Sequence, residues 1–341
     1  MKEVSIKPYF TVIMVLLVLS LAGAAGAASS DYNFYKGKVI NYIVATKPGG
    51  GYDAYARVIG KYMQKYIPGS TVIVKNLPGA GHIIGANETY LAKSDGLTIG
   101  TFNTGLIYSQ IVGFPGVKFD LAKYSWIGKA SSETRVLIVG NNTPFKTIKD
   151  ILDSKEPIKM AASGVGTAAY NDVLITAAAT GANFKVIPGY GGREGEMAML
   201  RGEVVGQIGS YIGLAAFIKA KECRVLLQIA AKKHRDLKDI PLASELKISE
   251  KAKKILAVID STAELGRLTA GTPNIPAARL QVLRDAYRKA LADPGLLKEA
   301  AKMDMDIDPS YGEDVAKLVR SAINQPPENM ELLKKIIKIE G

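Results

Sequence analysis

The chain is nearly without cysteine, histidine and tryptophan: 341 residues include one Cys, two His and one Trp. With Cys223 alone, no intramolecular disulfide can form. No His, Cys and carboxylate spacing suits a metal, so none is expected. A G-x-x-x-x-G-K-[ST] loop is missing, which excludes a Walker-type nucleotide site. No apolar run after residue 28 is long enough to suggest a membrane span. Scarce histidine also leaves little for nucleophilic catalysis. His234 lies in the basic run Lys232-Lys233-His234-Arg235, and His82, beside a glycine turn, is the one histidine placed to face a cleft.

The first 28 residues differ from the rest. Lys2 and Lys7 precede an apolar run from Phe10 to Leu21 and then the small-residue stretch Ala22 to Ala28. This is the pattern of a secretory signal peptide over residues 1–27, cleaved near Ala27. No cysteine lies near that site, so lipid anchoring is not expected, and the protein is expected to be periplasmic. Without Lys2, Lys7 and Glu3 the balance is 42 basic to 31 acidic residues, which favours anionic partners. The lysines are dispersed and the protein is exported, so nucleic acid is not an expected partner.

Downstream, apolar runs alternate with amphipathic stretches, the pattern of buried, mainly parallel strands joined by helices in an α/β fold. Strands are expected at 39–45, 72–74, 97–102, 136–139, 158–162, 184–187, 204–208 and 225–229. Helices are expected after Asp53 and near 168–180, 193–201 and 211–221, with Gly181 ending the second. From about Leu268 the pattern becomes helical, over 279–292 and 296–303, with no strands of its own. Returning these helices to the first unit gives a discontinuous domain, 28–132 plus 263–341, and an inserted domain, 133–262. Two crossovers, near 128–135 and 260–270, make a hinge over a cleft.

Three glycine turns stand between strands and helices: Pro48-Gly49-Gly50-Gly51-Tyr52-Asp53, Ser163-Gly164-Val165-Gly166-Thr167 and Gly189-Tyr190-Gly191-Gly192. Glycine lets backbone approach a ligand, and a helix N-terminus supplies unpaired N–H groups that suit an anion. Gly164-Val165-Gly166-Thr167-Ala168-Ala169 also matches the dinucleotide pattern. The acidic residue that would hold a ribose about 20 residues on is missing, so only the anion-binding geometry is retained and no cofactor is expected. Tyr52, Tyr170 and Tyr190 each lie within three residues of a turn. Arg193 is placed to pair with a carboxylate or with Glu194 or Glu196.

In order along the chain, Phe34-Tyr35-Lys36-Gly37-Lys38, Pro48 to Asp53, Asn76-Leu77-Pro78-Gly79-Ala80-Gly81, Asp95-Gly96-Leu97-Thr98, Gly164 to Thr167 and Ala270-Gly271-Thr272-Pro273 resemble one family. It is the tripartite tricarboxylate transporter receptor family, also called the Bug receptors, and the resemblance spans nearly all of the mature chain. It implies a two-domain periplasmic-binding-protein fold of the second type, with ligand enclosed between domains and passed to a large and a small membrane subunit. The protein is then a monomeric receptor for a small organic anion and not an enzyme. The resemblance implies ligand contacts at Gly50, Gly51, Asp53, Ser163, Gly166, Thr167, Tyr190 and Gly191; Tyr52, Gly81, His82, Asn103, Tyr170 and Arg193, beside these turns, are expected to join them. Two positions depart from the family pattern, His82 where Gly is usual and Tyr170 where His is usual, and both alter the polarity of the cleft. Two other roles fit the same cleft: an exported enzyme with His82 as base, and a capture protein for a sensor kinase.

Overall fold

The computed structural model describes residues 31–337, so the expected signal segment and its cleavage site lie outside the described residues. Two mixed sheets flanked by helices form the fold. The first has the order β11-β4-β10-β3-β1-β2, with β1 Val39–Val44, β2 Thr71–Asn76, β3 Thr98–Phe102, β4 Ser125–Lys129, β10 Leu268–Gly271 and β11 Ser310–Tyr311. β1 pairs in parallel with both β2 and β3, while β10 runs antiparallel between β3 and β4. The second sheet has the order β7-β6-β8-β5-β9, with β5 Arg135–Gly140, β6 Ile158–Ala162, β7 Phe184–Pro188, β8 Gly206–Ser210 and β9 Cys223–Ile229. Here β6 is parallel to β7 and β8, and β5 alone is reversed, pairing antiparallel with β8 and β9.

The helix Gly51–Lys65 turns Tyr52, Tyr55, Ile59 and Met63 into the core against β1, spaced three and four apart as a half-buried helix requires. Tyr62 and Tyr66 of the same helix are only partly buried and spend their hydroxyls on Glu299 (3.1 Å) and Asp293 (2.7 Å). Gly181 ends the helix Ala168–Thr180 with φ 77°, the left-handed conformation that glycine adopts without strain.

Two expectations need correction. The stretch after Leu268 does contribute strands, since β10 and β11 both belong to the first sheet. They are short, four and two residues, too short to show as an apolar run. The strand expected at 204–208 lies at Gly206–Ser210 instead. Its glycines hide it: a Cβ on Gly206 would sit 2.2 Å from the Ile138 carbonyl oxygen of β5, so only glycine allows that close pairing.

The chain passes from the first sheet to the second through residues 130–134 and returns through 264–267. Both connections run beneath one cleft. The last helix, Pro327–Ile336, crosses back once more and sets Leu333 in the core of the second sheet, beside Tyr108 from the first half.

Candidate functional site

Between the sheets lies a cavity of about 590 Å³ whose walls are the strand-to-helix turns. The first turn follows β1. Gly49 has φ 84°, and Gly50, at the N-cap, offers no side-chain oxygen to the first amides of the helix Gly51–Lys65. These amides lie at the cavity wall, where the helix dipole is positive. Gly51 has a further purpose: a Cβ there would stand 2.8 Å from Arg267 Nη2. The missing side chain admits the guanidinium.

Asp53 does not line the cavity. Its carboxylate, 5% exposed, accepts the Gly49 N–H (3.0 Å), Asn76 Nδ2 (3.0 Å) and Arg57 Nε (3.1 Å). Burial alone would raise its pKa, but these bonds outweigh burial and hold it below the usual carboxylate range. Asp53 therefore braces the turn instead of meeting a ligand, which corrects the sequence reading.

The second wall is Pro78 to His82, a tight turn in which Gly79, Ala80, Gly81 and His82 all have positive φ. A Cβ on Gly81 would approach the Val165 carbonyl oxygen at 2.5 Å, so this turn presses against the turn after β6. His82 lines the cavity, 9% exposed, with no partner for Nδ1. Burial lowers its pKa to about 4, with the Asn103 side chain pulling weakly the other way, so the imidazole is neutral. Asn103 Oδ1 accepts the N–H groups of Gly105 (2.9 Å) and Ala168 (3.0 Å), tying the end of β3 to the start of the helix Ala168–Thr180.

That helix begins after β6 and is capped by Thr167, whose hydroxyl donates to the Gly164 carbonyl (2.7 Å) and accepts the Tyr170 N–H (3.3 Å). Ser163, Gly164 and Thr167 line the cavity, whereas Gly166 and Tyr170 do not. A Cβ on Gly166 would meet the Phe114 ring at 3.3 Å, so its open side is already filled. Tyr170 is half-buried in the first turn of the helix, away from the cavity. The turn after β7 supplies Tyr190, Gly191 and Arg193 to the lining. Opposite it, Lys47 Nζ bonds Glu194 at 3.0 Å and closes one edge of the cleft with an exposed ion pair. Arg193 thus has no claim on Glu194, one of the two surface partners that the sequence offered it.

The floor was not foreseen from sequence. Arg135 opens β5 and Arg267 precedes β10; both line the cavity and are 4% and 2% exposed. Arg267 Nη1 pairs with Glu133 Oε1 and its Nη2 donates to Ser210 Oγ at 3.2 Å. Arg135 Nη1 donates to Glu133 Oε2 (3.2 Å), and its Nε to Asp172 Oδ2 (2.7 Å). Tyr52 Oη donates to Glu133 Oε1 (2.8 Å), and the Arg267 guanidinium carbon stands 4.2 Å from the Tyr52 ring centre. Burial would push the Glu133 carboxyl up, but the two guanidiniums and Tyr52 outweigh it and hold it below its ordinary range. The network joins residues of both crossovers to the helices on either side. The arginines stand inside or beside apolar runs, and that oddity was the one sequence signal for them.

Of the expected residues, Gly50, Gly51, Tyr52, Gly81, His82, Asn103, Ser163, Thr167, Tyr190, Gly191 and Arg193 come together at the cavity. Glu196, Gln207 and Ser210 also reach it and were missed, because each lies beyond the glycine turns. Among the described residues no group of three or more His, Cys, Asp or Glu is placed to hold a metal.

Comparison with known proteins agrees with this geometry. The chain is 28% identical over 216 residues to a protein of Pseudomonas sp. strain P51, encoded between tcbD and tcbE. That match covers 62% of this chain and 64% of the relative, less than two thirds of the relative's length. The periplasmic binding protein BugD superposes with a TM-score of 0.76 at 20% identity, over 89% of this chain and 98% of BugD. MatC from Rhodopseudomonas palustris, with bound malate, gives a TM-score of 0.72 at 17% identity, over 88% of this chain and 99% of MatC. At such identities these two structures establish the fold alone: that of a two-domain periplasmic binding protein. The family model described as the tripartite tricarboxylate transporter family receptor matches residues 55–336, and the chain belongs to that family of solute-binding proteins.

Proposed function

We propose that this protein is an extracytoplasmic receptor that encloses a small organic anion, a carboxylate, between two lobes and releases it unchanged to a large and a small membrane subunit. The lobes follow the expected division, 28–132 with 263–341 and 133–262, except that the last helix, Pro327–Ile336, packs into the core of the second lobe, and the two connections beneath the cleft are the hinge. The observation that carries this reading is the cavity itself: bare glycine amides at a helix N-terminus stand over Arg267, which Gly51 alone allows so near. Charge-assisted hydrogen bonds to a carboxylate gain strength as closure excludes water. Malate bound to MatC, a protein of the same fold, accords with a carboxylate ligand. The contacts across the cleft, Lys47 with Glu194 and Asn103 with the Ala168 N–H, suit a closed form. Opening requires that they break.

An enzyme in the same cleft would need a base. His82, with a pKa near 4, is a weak base at neutral pH, which favours binding over chemistry. No helix among the described residues is long and apolar enough to cross a membrane. A thermal-shift screen of carboxylates on the mature protein tests the proposal. A ligand at 100 times its Kd adds about 2.7 kcal/mol of stability, and chromatography should recover it unaltered. No stabilisation by any carboxylate, or conversion of one into product, refutes it.

A further inference from the structure

The loop that follows the helix Pro294–Lys302 alternates acidic and apolar residues: Asp304, Met305, Asp306, Ile307, Asp308. A period of two turns successive side chains to opposite sides of an extended chain. Met305 and Ile307 pack into the core of the first lobe. Hydrogen bonds fasten the loop there. Tyr55 Oη donates to the Asp306 carbonyl (2.7 Å), the Asp308 N–H donates to the Ala130 carbonyl (2.9 Å), and Ser132 Oγ donates to Asp308 Oδ2 (3.1 Å). The loop is therefore a strap that moves with the first lobe.

Its other two carboxylates reach the second lobe. Lys219, at the end of the helix Tyr211–Lys219, pairs with Asp304, and Arg235 Nη2 stands 3.1 Å from Asp306 Oδ1. His234 Nε2 lies 3.5 Å from Asp306 Oδ2. These partners are themselves held in place. The His234 N–H donates to Oε1 of the fully buried Gln228 (2.8 Å), and its ring centre is 4.0 Å from that of Tyr211. At the start of the helix Tyr211–Lys219, Ile212 packs against the cores of both lobes. One flank of the second lobe thus lies on the first, clear of the cavity: none of Lys219, His234, Arg235, Asp304 and Asp306 lines it.

We infer that this acidic strap is a latch: its ion pairs hold the two lobes together whether or not the cleft is filled, so residues that never touch the ligand set how readily the receptor opens. This rests on the two-lobe receptor reading above. Rotation about the crossovers must part Lys219 from Asp304 and Arg235 from Asp306, because the strap stays with one lobe and the bases with the other. A ligand that is held only by closed lobes gains in apparent affinity whatever the latch adds to the closed fraction. An exposed ion pair contributes a factor of about 1.5 to 5, and two of them together about fivefold at mid-range.

Double electron–electron resonance reads the latch without a ligand. Spin labels at Lys75→Cys and Lys185→Cys stand on β2 and β7, the sheet edges farthest from the crossovers, while Cys223 is buried. In the mature full chain, dialysed free of small molecules at low salt, the labelled protein should give mainly the short distance of closed lobes. Adding Asp304→Asn/Asp306→Asn should raise the ratio of open to closed lobes about fivefold. Salt at about 0.5 M should move the unmutated latch the same way by screening its pairs. Lys219→Gln/Arg235→Gln removes these pairs from the second lobe, and serves should the first variant fail to fold, since both side chains are half exposed or more. Lobes already apart with the latch intact, or a distance distribution that either folded variant leaves unchanged or shortens, overturns the inference and leaves the carboxylate receptor intact. Stabilisation by no carboxylate refutes the receptor reading on its own, and the label distances still judge the latch.

Discussion

Replacing Arg267 with Met keeps its length and apolar stem but removes the guanidinium that Glu133 faces. Glu133 is 4% exposed, and removing one partner of a buried ion pair costs about 3–5 kcal/mol because the other charge stays buried. Glu133 keeps Arg135 Nη1 at 3.2 Å and Tyr52 Oη at 2.8 Å, so the lower end, about 3 kcal/mol, applies. The second half of the reasoning is the double variant. Adding Glu133→Gln removes the stranded charge, so Arg267→Met/Glu133→Gln should recover at least about 2 kcal/mol relative to the single change. Urea unfolding followed by circular dichroism measures both. Carboxylate binding should not recover with stability, because the double variant still lacks Arg267 at the cavity floor. A coupling below about 0.5 kcal/mol, within the scatter of independent sites, refutes the picture of one interdependent buried network.

Two further substitutions address the walls. Gly51→Ala puts a Cβ 2.8 Å from Arg267 Nη2 and should weaken carboxylate binding about tenfold by displacing the guanidinium, with helix content unchanged by circular dichroism; unchanged affinity counts against the close approach. His82 has a folded pKa of about 4 against an ordinary 6.5, so between these values the unfolded chain binds a proton that the folded chain does not. Stability is therefore retained above about pH 6.5 and falls as pH drops toward 4, by roughly 3 kcal/mol at the low limit. His82→Asn, which tolerates the φ of 79°, should flatten that part of the pH profile, and a profile identical to wild type shows that His82 titrates freely.

The family and the glycine walls were legible in the amino-acid order because they depend on local chemistry. A strand followed by Pro48-Gly49-Gly50-Gly51 leads into a helix with bare N-terminal amides in any context. Alternation of apolar and amphipathic stretches fixes an α/β fold in the same way. Termination by Gly181 needs only neighbours three or four residues distant and occurs where expected, and the cap that Thr167 supplies to the same helix is equally local. The short strands β10 and β11 were hidden because pairing with β3 and β4, and not composition, makes them strands.

What only the tertiary structure decided is which polar groups face the cavity and which face one another. Asp53 reads as a ligand contact from its place in the turn, yet its carboxylate is taken by Gly49, Asn76 and Arg57. Arg135 and Arg267 are 132 positions apart in sequence, and no periodicity links them; Glu133 joins them because the two crossovers pass side by side. Glu196 reads as a helix-surface acid in sequence, yet it is 5% exposed and lines the cavity. Sequence sets the local hydrogen-bonding repertoire of each segment. Burial and charge pairing arise from contacts between segments, and these chose the members of the site.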